Sequence, residues 1–67
     1  MPTITVNGTS GEVAPGTSLL ALLQAKTIDP LHVVAEVNGA VVPREQFTEH
    51  LLKTGDTVEV IRFVGGG

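Results

Sequence analysis

The sequence predicts an α+β fold in which a mixed sheet of four to five strands carries one main helix on one face. Two Asn-Gly pairs, at residues 7–8 and 38–39, each separate segments with strand character and are typical of two-residue hairpin turns. Between the hairpins, four leucines within residues 19–23 lie on one side of a helix. A chain of 67 residues has room for one small core, so one sheet and one helix must bury each other.

The first hairpin begins where polar and apolar residues alternate over Thr3–Val6. Asn7 and Gly8 tolerate the positive φ angles of a tight turn, and a return strand is predicted over residues 10–14. Pro15-Gly16 then ends this strand in a second turn.

The predicted helix follows a pair of hydroxyl residues, Thr17 and Ser18, either of which is suited to cap it. Its leucines fall within an arc of about 160° at 100° per residue, which gives the helix a broad apolar face. Lys26 projects near that face and indicates that the helix is ending, after which Asp29-Pro30 favours an extended or turn conformation. The leucines are Leu19, Leu20, Leu22 and Leu23.

The second half of the chain predicts another hairpin and a last strand. Residues 33–37 are rich in β-branched side chains and lead through Asn38-Gly39 into a short strand before Pro43. Residues 44–52 are predicted to form a short helical turn or loop anchored by Phe47. The turn at residues 54–56 then leads into a strand over residues 57–63.

Composition excludes several classes of function. The net charge of −3, with four Lys or Arg residues and neither Tyr nor Trp, argues against nucleic acid as a ligand. The chain has no cysteine, so thiolate metal sites and a disulfide framework are excluded. No stretch approaches the roughly 18 apolar residues that span a membrane, and no signal peptide is recognisable. We therefore expect a cytoplasmic protein with no membrane association.

Residues with catalytic or metal-binding chemistry do not form a recognisable pattern. His32 and His50 are separated by 18 positions, without a second ligand at the spacing of a metal site, and are interpreted as surface or partly satisfied histidines. No pair of nucleophile and base is visible, so the chain is not expected to be an enzyme. The acidic residues Glu45, Glu49, Asp56 and Glu59 are expected to be mostly solvated, although some could meet basic groups of a partner.

The last strand carries apolar residues on what should be its polar face. Ile61 and Phe63 share the parity of Thr57 and Glu59, so in a regular strand they lie on the outer face of the sheet. Together with Val64 they are predicted to form a patch that docks partner proteins. The alternative is a bulge that turns Ile61 and Phe63 into the edge of the domain.

The sequence ends on Gly65-Gly66-Gly67. Such a run is either a dispensable terminus or a segment whose terminal carboxylate is the functional group of the protein. Glycine suits the second role because a chain without Cβ atoms threads a narrow cleft.

Three stretches together resemble the ThiS family, the sulfur carriers of bacterial thiamine biosynthesis, which are related to MoaD-type carriers. The first runs from Glu36-Val37-Asn38-Gly39 to Val42-Pro43-Arg44-Glu45, the second from Gly55-Asp56 to Val58-Glu59-Val60, and the third is residues 63–67. The resemblance implies a ubiquitin-like β-grasp domain over residues 1–64 and a flexible tail over residues 65–67. Within the first stretch, Arg44 is open to two interpretations, as a partner for a carboxylate on another protein or as a solvated turn residue.

The resemblance also implies a function. A ThiF-type adenylyltransferase, using ATP and magnesium, would join the Gly67 carboxylate to AMP while Gly65 and Gly66 enter its active site. A sulfur donor protein would convert the adenylate to a thiocarboxylate, whose sulfur a ThiG-type thiazole synthase would use. The chain itself would bind no cofactor and would be a monomer when free. The alternatives are a sulfur carrier for molybdopterin or tRNA thiolation, a ubiquitin-like protein modifier, and a plain binding module.

Overall fold

A computed structural model describes residues 1–63, which form one five-stranded mixed sheet with one α-helix. The helix α1 covers Leu19–Ala25, and short 3-10 turns cover Pro30–His32 and Arg44–Gln46. The strands are β1 (Thr3–Val6), β2 (Thr9–Glu12), β3 (Val33–Val37), β4 (Ala40–Val42) and β5 (Thr57–Arg62). The predicted tail and Val64 lie outside the described residues.

The sheet has the order β2-β1-β5-β3-β4, so the last strand of the chain occupies its centre. β5 pairs with β1 in parallel and with β3 in antiparallel orientation, while β1–β2 and β3–β4 are the two hairpins. The predicted mixed sheet with one helix is therefore confirmed. The return strand starts earlier than predicted because the two-residue turn places Thr9 directly opposite Val6.

Helix α1 begins at a defined cap. The Ser18 hydroxyl accepts a hydrogen bond of 3.0 Å from the Ala21 amide, whereas the Thr17 hydroxyl donates to the Ala14 carbonyl at 2.7 Å. Ser18 is thus the N-cap, a choice that the sequence left open. The helix ends at Ala25 with Lys26 as its C-cap, in agreement with the predicted end near Lys26. Of the four leucines, Leu20 is only partly buried.

The core lies between the helix and one face of the sheet. Phe47 is buried within it, as expected for the aromatic anchor of the segment after β4. Backbone hydrogen bonds from Leu20 to the Phe47 carbonyl and from Leu19 to the His50 carbonyl join that segment to the start of the helix. The buried hydrophobic residues are Ile4, Leu19, Leu22, Leu23, Val33, Ala35, Val37, Val42, Phe47, Leu52 and Val58.

The two turn asparagines hold the central strand as well as turning the chain. Both have the positive φ that the turns require, 48° at Asn7 and 54° at Asn38. The Asn7 amide donates to the Val58 carbonyl, and its side-chain oxygen accepts from the Val60 amide at 2.8 Å.

Asn38 exchanges an equivalent pair of bonds with Thr57. Its amide donates to the Thr57 carbonyl at 2.7 Å, and its side-chain oxygen accepts from the Thr57 amide at 2.9 Å. In both turns a side-chain oxygen takes the place of a backbone carbonyl at the point where the neighbouring strand turns away from β5. Both hairpins are thereby locked onto the same strand.

We predict that Asn7→Gly lowers the free energy of unfolding by about 1 kcal/mol, since glycine accepts the positive φ but leaves the Val60 amide without its acceptor. Asn7→Asp keeps an acceptor oxygen and tolerates the same backbone conformation, so its stability should remain near wild type. Urea denaturation of the three proteins measures both effects. Equal stability of the wild type and Asn7→Gly would show that the side-chain bond contributes nothing.

Candidate functional site

The candidate site lies on the outer face of the sheet, at the end of β5 from which the predicted tail continues. The pairing between β3 and β5 runs without a bulge from Val37↔Val58 to Val33↔Arg62. Val58 is fully buried, whereas Ile61 is 50% exposed and Phe63 is 41% exposed. The predicted orientation of Ile61 is therefore correct, and a bulge in this part of the strand is excluded.

The structure adds two residues that the sequence analysis missed. Val34 lies directly opposite Ile61 on β3 and is exposed, and Val41 on β4 is also exposed. Val41 lies diagonally to Val34, because it pairs with Glu36, two positions further along β3. The signal available in the sequence was Glu36, which shares the parity of Val34 and marks the outward face of the strand Val33–Val37. We call Val34, Val41, Ile61 and Phe63 the outer patch.

Two carboxylates border the outer patch. Glu36 on β3 lies directly opposite Glu59 on β5, and both have the parity of the outer face. Like charges at directly opposed positions of a sheet are unfavourable, so this pair does not serve the stability of the free domain. It gives the apolar surface a negative border.

Asp56 does not belong to the solvated acidic surface that was predicted for it. Its side chain is 5% exposed and accepts hydrogen bonds from the Asn38 side chain at 3.0 Å and the Lys53 amide at 2.8 Å. Burial by itself raises the pKa of Asp56. The two hydrogen bonds and the positive charges of Lys53 and His50 outweigh it, so the pKa lies below its ordinary value of 3.8.

Arg44 is an exposed turn residue, which agrees with one of the two interpretations of the sequence, and it also makes a hydrogen bond that neither included. Its Nε–H donates to the backbone carbonyl of Pro30 at 3.0 Å, so this side chain makes a contact within the domain. The sequence gave no sign of this bond because the two residues lie on separate turns, 14 positions apart.

The histidines do not form a metal centre. His32 Nδ1 lies 3.6 Å from a carboxylate oxygen of Asp29, with both side chains largely exposed. Within residues 1–63, no three metal-ligating side chains come together.

The helices described for residues 1–63 are also too short to span the apolar layer of a membrane.

Comparison with known proteins identifies this arrangement. The profile of the ThiS family matches residues 4–67. This chain belongs to the ThiS family. The crystal structure of the thiamine biosynthesis protein ThiS from Geobacter metallireducens superposes with a TM-score of 0.83 at 38% identity, over 97% of this chain and 99% of that one. A solution structure of the thiamine biosynthesis protein from the same organism gives 0.77, also at 38% identity, over 97% of this chain and 87% of that one. The fold is thus the ThiS-like β-grasp.

Two curated relatives contain a ThiS-like segment within a longer chain. The thiazole synthase of Magnetococcus marinus is 38% identical over 64 residues, and that of Paramagnetospirillum magneticum is 28% identical over 64 residues. Each alignment covers 96% of this chain but 20% of the relative. The ThiS family chain therefore spans about one fifth of the length of the curated relatives it matches.

The low pKa of Asp56 makes stability depend on pH in a defined direction. A carboxyl group whose pKa is lower in the folded state stabilises the fold above its unfolded pKa, and this contribution is lost as the pH falls through the folded pKa. We therefore predict that the free energy of unfolding decreases on acidification below about pH 4, and that Asp56→Asn flattens this part of the profile.

Asp56→Asn should also be less stable at neutral pH, by about 1 to 3 kcal/mol. The Asn38 side chain and the Lys53 backbone amide both donate hydrogen bonds to the Asp56 carboxylate. In Asp56→Asn the side-chain oxygen can accept from one of these donors, but the new NH2 group faces the other donor and cannot bond to it. Exposed Glu49 offers a matched control, since Glu49→Gln should leave the profile nearly unchanged. Denaturant titrations between pH 2 and 7 measure both variants, and parallel wild-type and Asp56→Asn profiles would contradict the assignment.

Proposed function

We propose that this chain is a sulfur carrier protein of thiamine biosynthesis and that its partners perform the catalysis. The observation that carries the proposal is the ThiS family match, which extends through Gly67 and includes all three terminal glycines. We propose the cytoplasm as its location, since a chain without cysteine needs no oxidising compartment to fold.

The chemistry begins at the Gly67 carboxylate. With an ordinary pKa of about 3.3 to 3.7, a C-terminal carboxylate is an anion at neutral pH and a poor acyl donor. A ThiF-type adenylyltransferase supplies the leaving group: a carboxylate oxygen attacks the α-phosphate of ATP, and magnesium pyrophosphate departs. The terminal sulfur of a persulfide on the donor protein then attacks the acyl carbon, and AMP departs to leave an acyl disulfide between Gly67 and the donor. A thiol cleaves its S–S bond, which forms a disulfide with the donor cysteine and releases the thiocarboxylate.

The length of the tail limits where the partner binds. Four residues follow Phe63, and an extended chain advances at most 3.3 to 3.6 Å per residue, so the carboxylate lies within about 14 Å of Phe63. The adenylyltransferase must therefore contact the domain close to the end of β5. The outer patch is the exposed apolar surface at that position.

The composition of this surface indicates the kind of partner. Val34, Ile61 and Phe63 supply exposed apolar area, and Glu36 with Glu59 supplies negative charge beside it. A partner surface with an apolar centre and basic groups at its border fits both features.

The names of the curated relatives favour thiazole formation as the reaction that uses the sulfur of this carrier. Both are named thiazole synthases and carry a segment homologous to this chain. Fusion of a carrier to the enzyme that consumes its sulfur keeps the two at high effective concentration. This supports a ThiG-type synthase as the second partner, in preference to enzymes of molybdopterin synthesis or tRNA thiolation.

We predict that incubation with a ThiF-type adenylyltransferase, ATP, magnesium and a sulfur donor increases the intact mass by the exchange of one oxygen for one sulfur. Deletion of Gly67 moves the carboxylate one residue back from the reacting phosphate and should abolish the increase. Intact-protein mass spectrometry measures both samples. The adenylyltransferase must first be shown to modify its own carrier protein. If it does so and the mass of the wild-type chain stays unchanged, the proposal is contradicted. A conjugate between this chain and a lysine of another protein would instead indicate a protein modifier.

We predict that Ile61→Ser raises the KM for adenylation by about tenfold, since truncation of a buried interface anchor costs about 1 to 2 kcal/mol. Its thermal stability should stay near wild type, because the side chain already faces solvent. Leu51→Ser is the matched control, since Leu51 is 54% exposed and lies outside the sheet. Steady-state adenylation assays and melting curves separate the effects, and an unchanged KM for Ile61→Ser would place docking elsewhere.

A further inference from the structure

We propose that Asn7 is a site of spontaneous covalent modification, where deamidation to aspartate and isoaspartate proceeds much faster in the folded domain than at Asn38. The inference is independent of the proposed function, because the reaction needs only water and the chain itself. It is carried by two hairpin turns that match in sequence and backbone conformation but differ in their side-chain hydrogen bonds.

The reaction uses the Asn-Gly pair at the turn between β1 and β2. The Gly8 amide loses its proton to solvent, and its nitrogen attacks Cγ of Asn7. An N–Cγ bond forms, the Cγ–Nδ2 bond breaks and ammonia leaves, which closes a five-membered succinimide ring. Glycine favours this step because it has no Cβ to obstruct the ring. Water then opens the ring at either carbonyl and gives aspartate, or isoaspartate with its main chain running through Cβ and Cγ.

The two turns present the same reacting groups. Each has the sequence Val-Asn-Gly, at residues 6–8 and 37–39. The asparagine φ angles are 48° and 54°, and the glycine φ angle is 85° in both turns. Both asparagines and both glycines are exposed, and neither glycine amide donates a hydrogen bond within residues 1–63. Sequence, backbone conformation and exposure therefore do not distinguish the two sites.

The side-chain amide group does distinguish them. Nδ2 of Asn38 donates to the buried Asp56 carboxylate at 3.0 Å, whereas Nδ2 of Asn7 donates no hydrogen bond to the described residues. Each side-chain oxygen accepts from one β5 amide, so rotation toward the glycine nitrogen breaks one side-chain bond at Asn7 and two at Asn38. Because a bond to a charged acceptor is the stronger kind, this difference should separate the rates about tenfold.

The first hairpin also opens more easily than the second. β2 lies at one edge of the sheet, and none of its four residues is buried. β4 lies at the other edge, but Val42 anchors it in the core. Segments with few buried apolar contacts open locally at a lower cost in free energy. Asn7 therefore reaches the conformation for ring closure with a smaller disturbance of the fold.

The two products affect the sheet differently. Aspartate keeps a side-chain oxygen that can accept from the Val60 amide. Isoaspartate adds a methylene group to the main chain of a turn whose length places Val6 opposite Thr9. The oxygen that accepted from Val60 also becomes a main-chain carbonyl of the lengthened turn. Isoaspartate at residue 7 therefore weakens the attachment of the first hairpin to β5.

Peptide mapping of the full chain tests the site. Trypsin cleaves after Lys26 and Arg44, so the two asparagines are recovered on separate peptides, 1–26 and 27–44. The protein is incubated in mildly alkaline buffer with and without guanidinium chloride, and mass spectrometry follows each peptide over time. In the folded protein, Asn7 should be converted about tenfold faster than Asn38. In denaturant the two rates should be nearly equal, because the reacting sequences match.

Several results would overturn the inference. Equal rates in the folded protein, faster conversion of Asn38, or no measurable conversion of Asn7 would each do so. An equally large preference for Asn7 in denaturant would also do so, since it would remove the structural cause. Asn7→Gly is the control for assignment, because peptide 1–26 also contains Gln24. This variant should leave the peptide unmodified, and an undiminished rate would assign the reaction to Gln24.

The consequence for the sheet has its own test, with Asn7→Asp as the matched form of the aspartate product. The isoaspartate product is separated by anion exchange and identified by electron-transfer fragmentation. It should unfold at a lower denaturant concentration than Asn7→Asp, and its Val60 amide should exchange about fivefold faster, the factor expected for one lost hydrogen bond. Equal unfolding midpoints and equal exchange would overturn the proposed effect on the hairpin.

Discussion

The structure depends on the hydrogen bonding of its central strand. β5 is last in the chain but lies between β1 and β3, and in each of the turns that follow those strands an asparagine side-chain oxygen accepts a hydrogen bond from a β5 amide. Each hairpin alone is a two-stranded ribbon, and such a ribbon is only marginally stable in water. Insertion of β5 joins the hairpins into one sheet broad enough to cover the leucine helix, so fold and candidate site are built on the same strand.

The two faces of β5 have different surroundings. Residues such as Val58 face the helix and belong to the core, whereas Ile61 faces outward beside Val34. A domain of this size has few apolar residues to spare, yet it exposes several of them together at the end of β5. Packing within the domain does not require this placement, which supports the proposal that a partner docks there.

Much of this was accessible from the sequence because the decisive signals are local. Asn-Gly turns fix the hairpins, leucine spacing fixes the helix face, and strand parity puts Ile61 outside. What could not be predicted depends on topology. The Asn7 side chain bonds an amide 53 positions away, Asp56 is buried against Asn38, and Arg44 reaches Pro30. Turn propensity explains why asparagine is allowed at positive φ, but only the strand order shows which amide lies beside its oxygen.

The opposed carboxylates of Glu36 and Glu59 have a further consequence for how the domain responds to salt. In the free domain their repulsion is weakened as ions screen it, so added salt relieves an unfavourable contact. Against a basic partner the same two charges are attractive, and added salt weakens that attraction. Ionic strength would therefore act in opposite directions on the isolated domain and on the proposed complex.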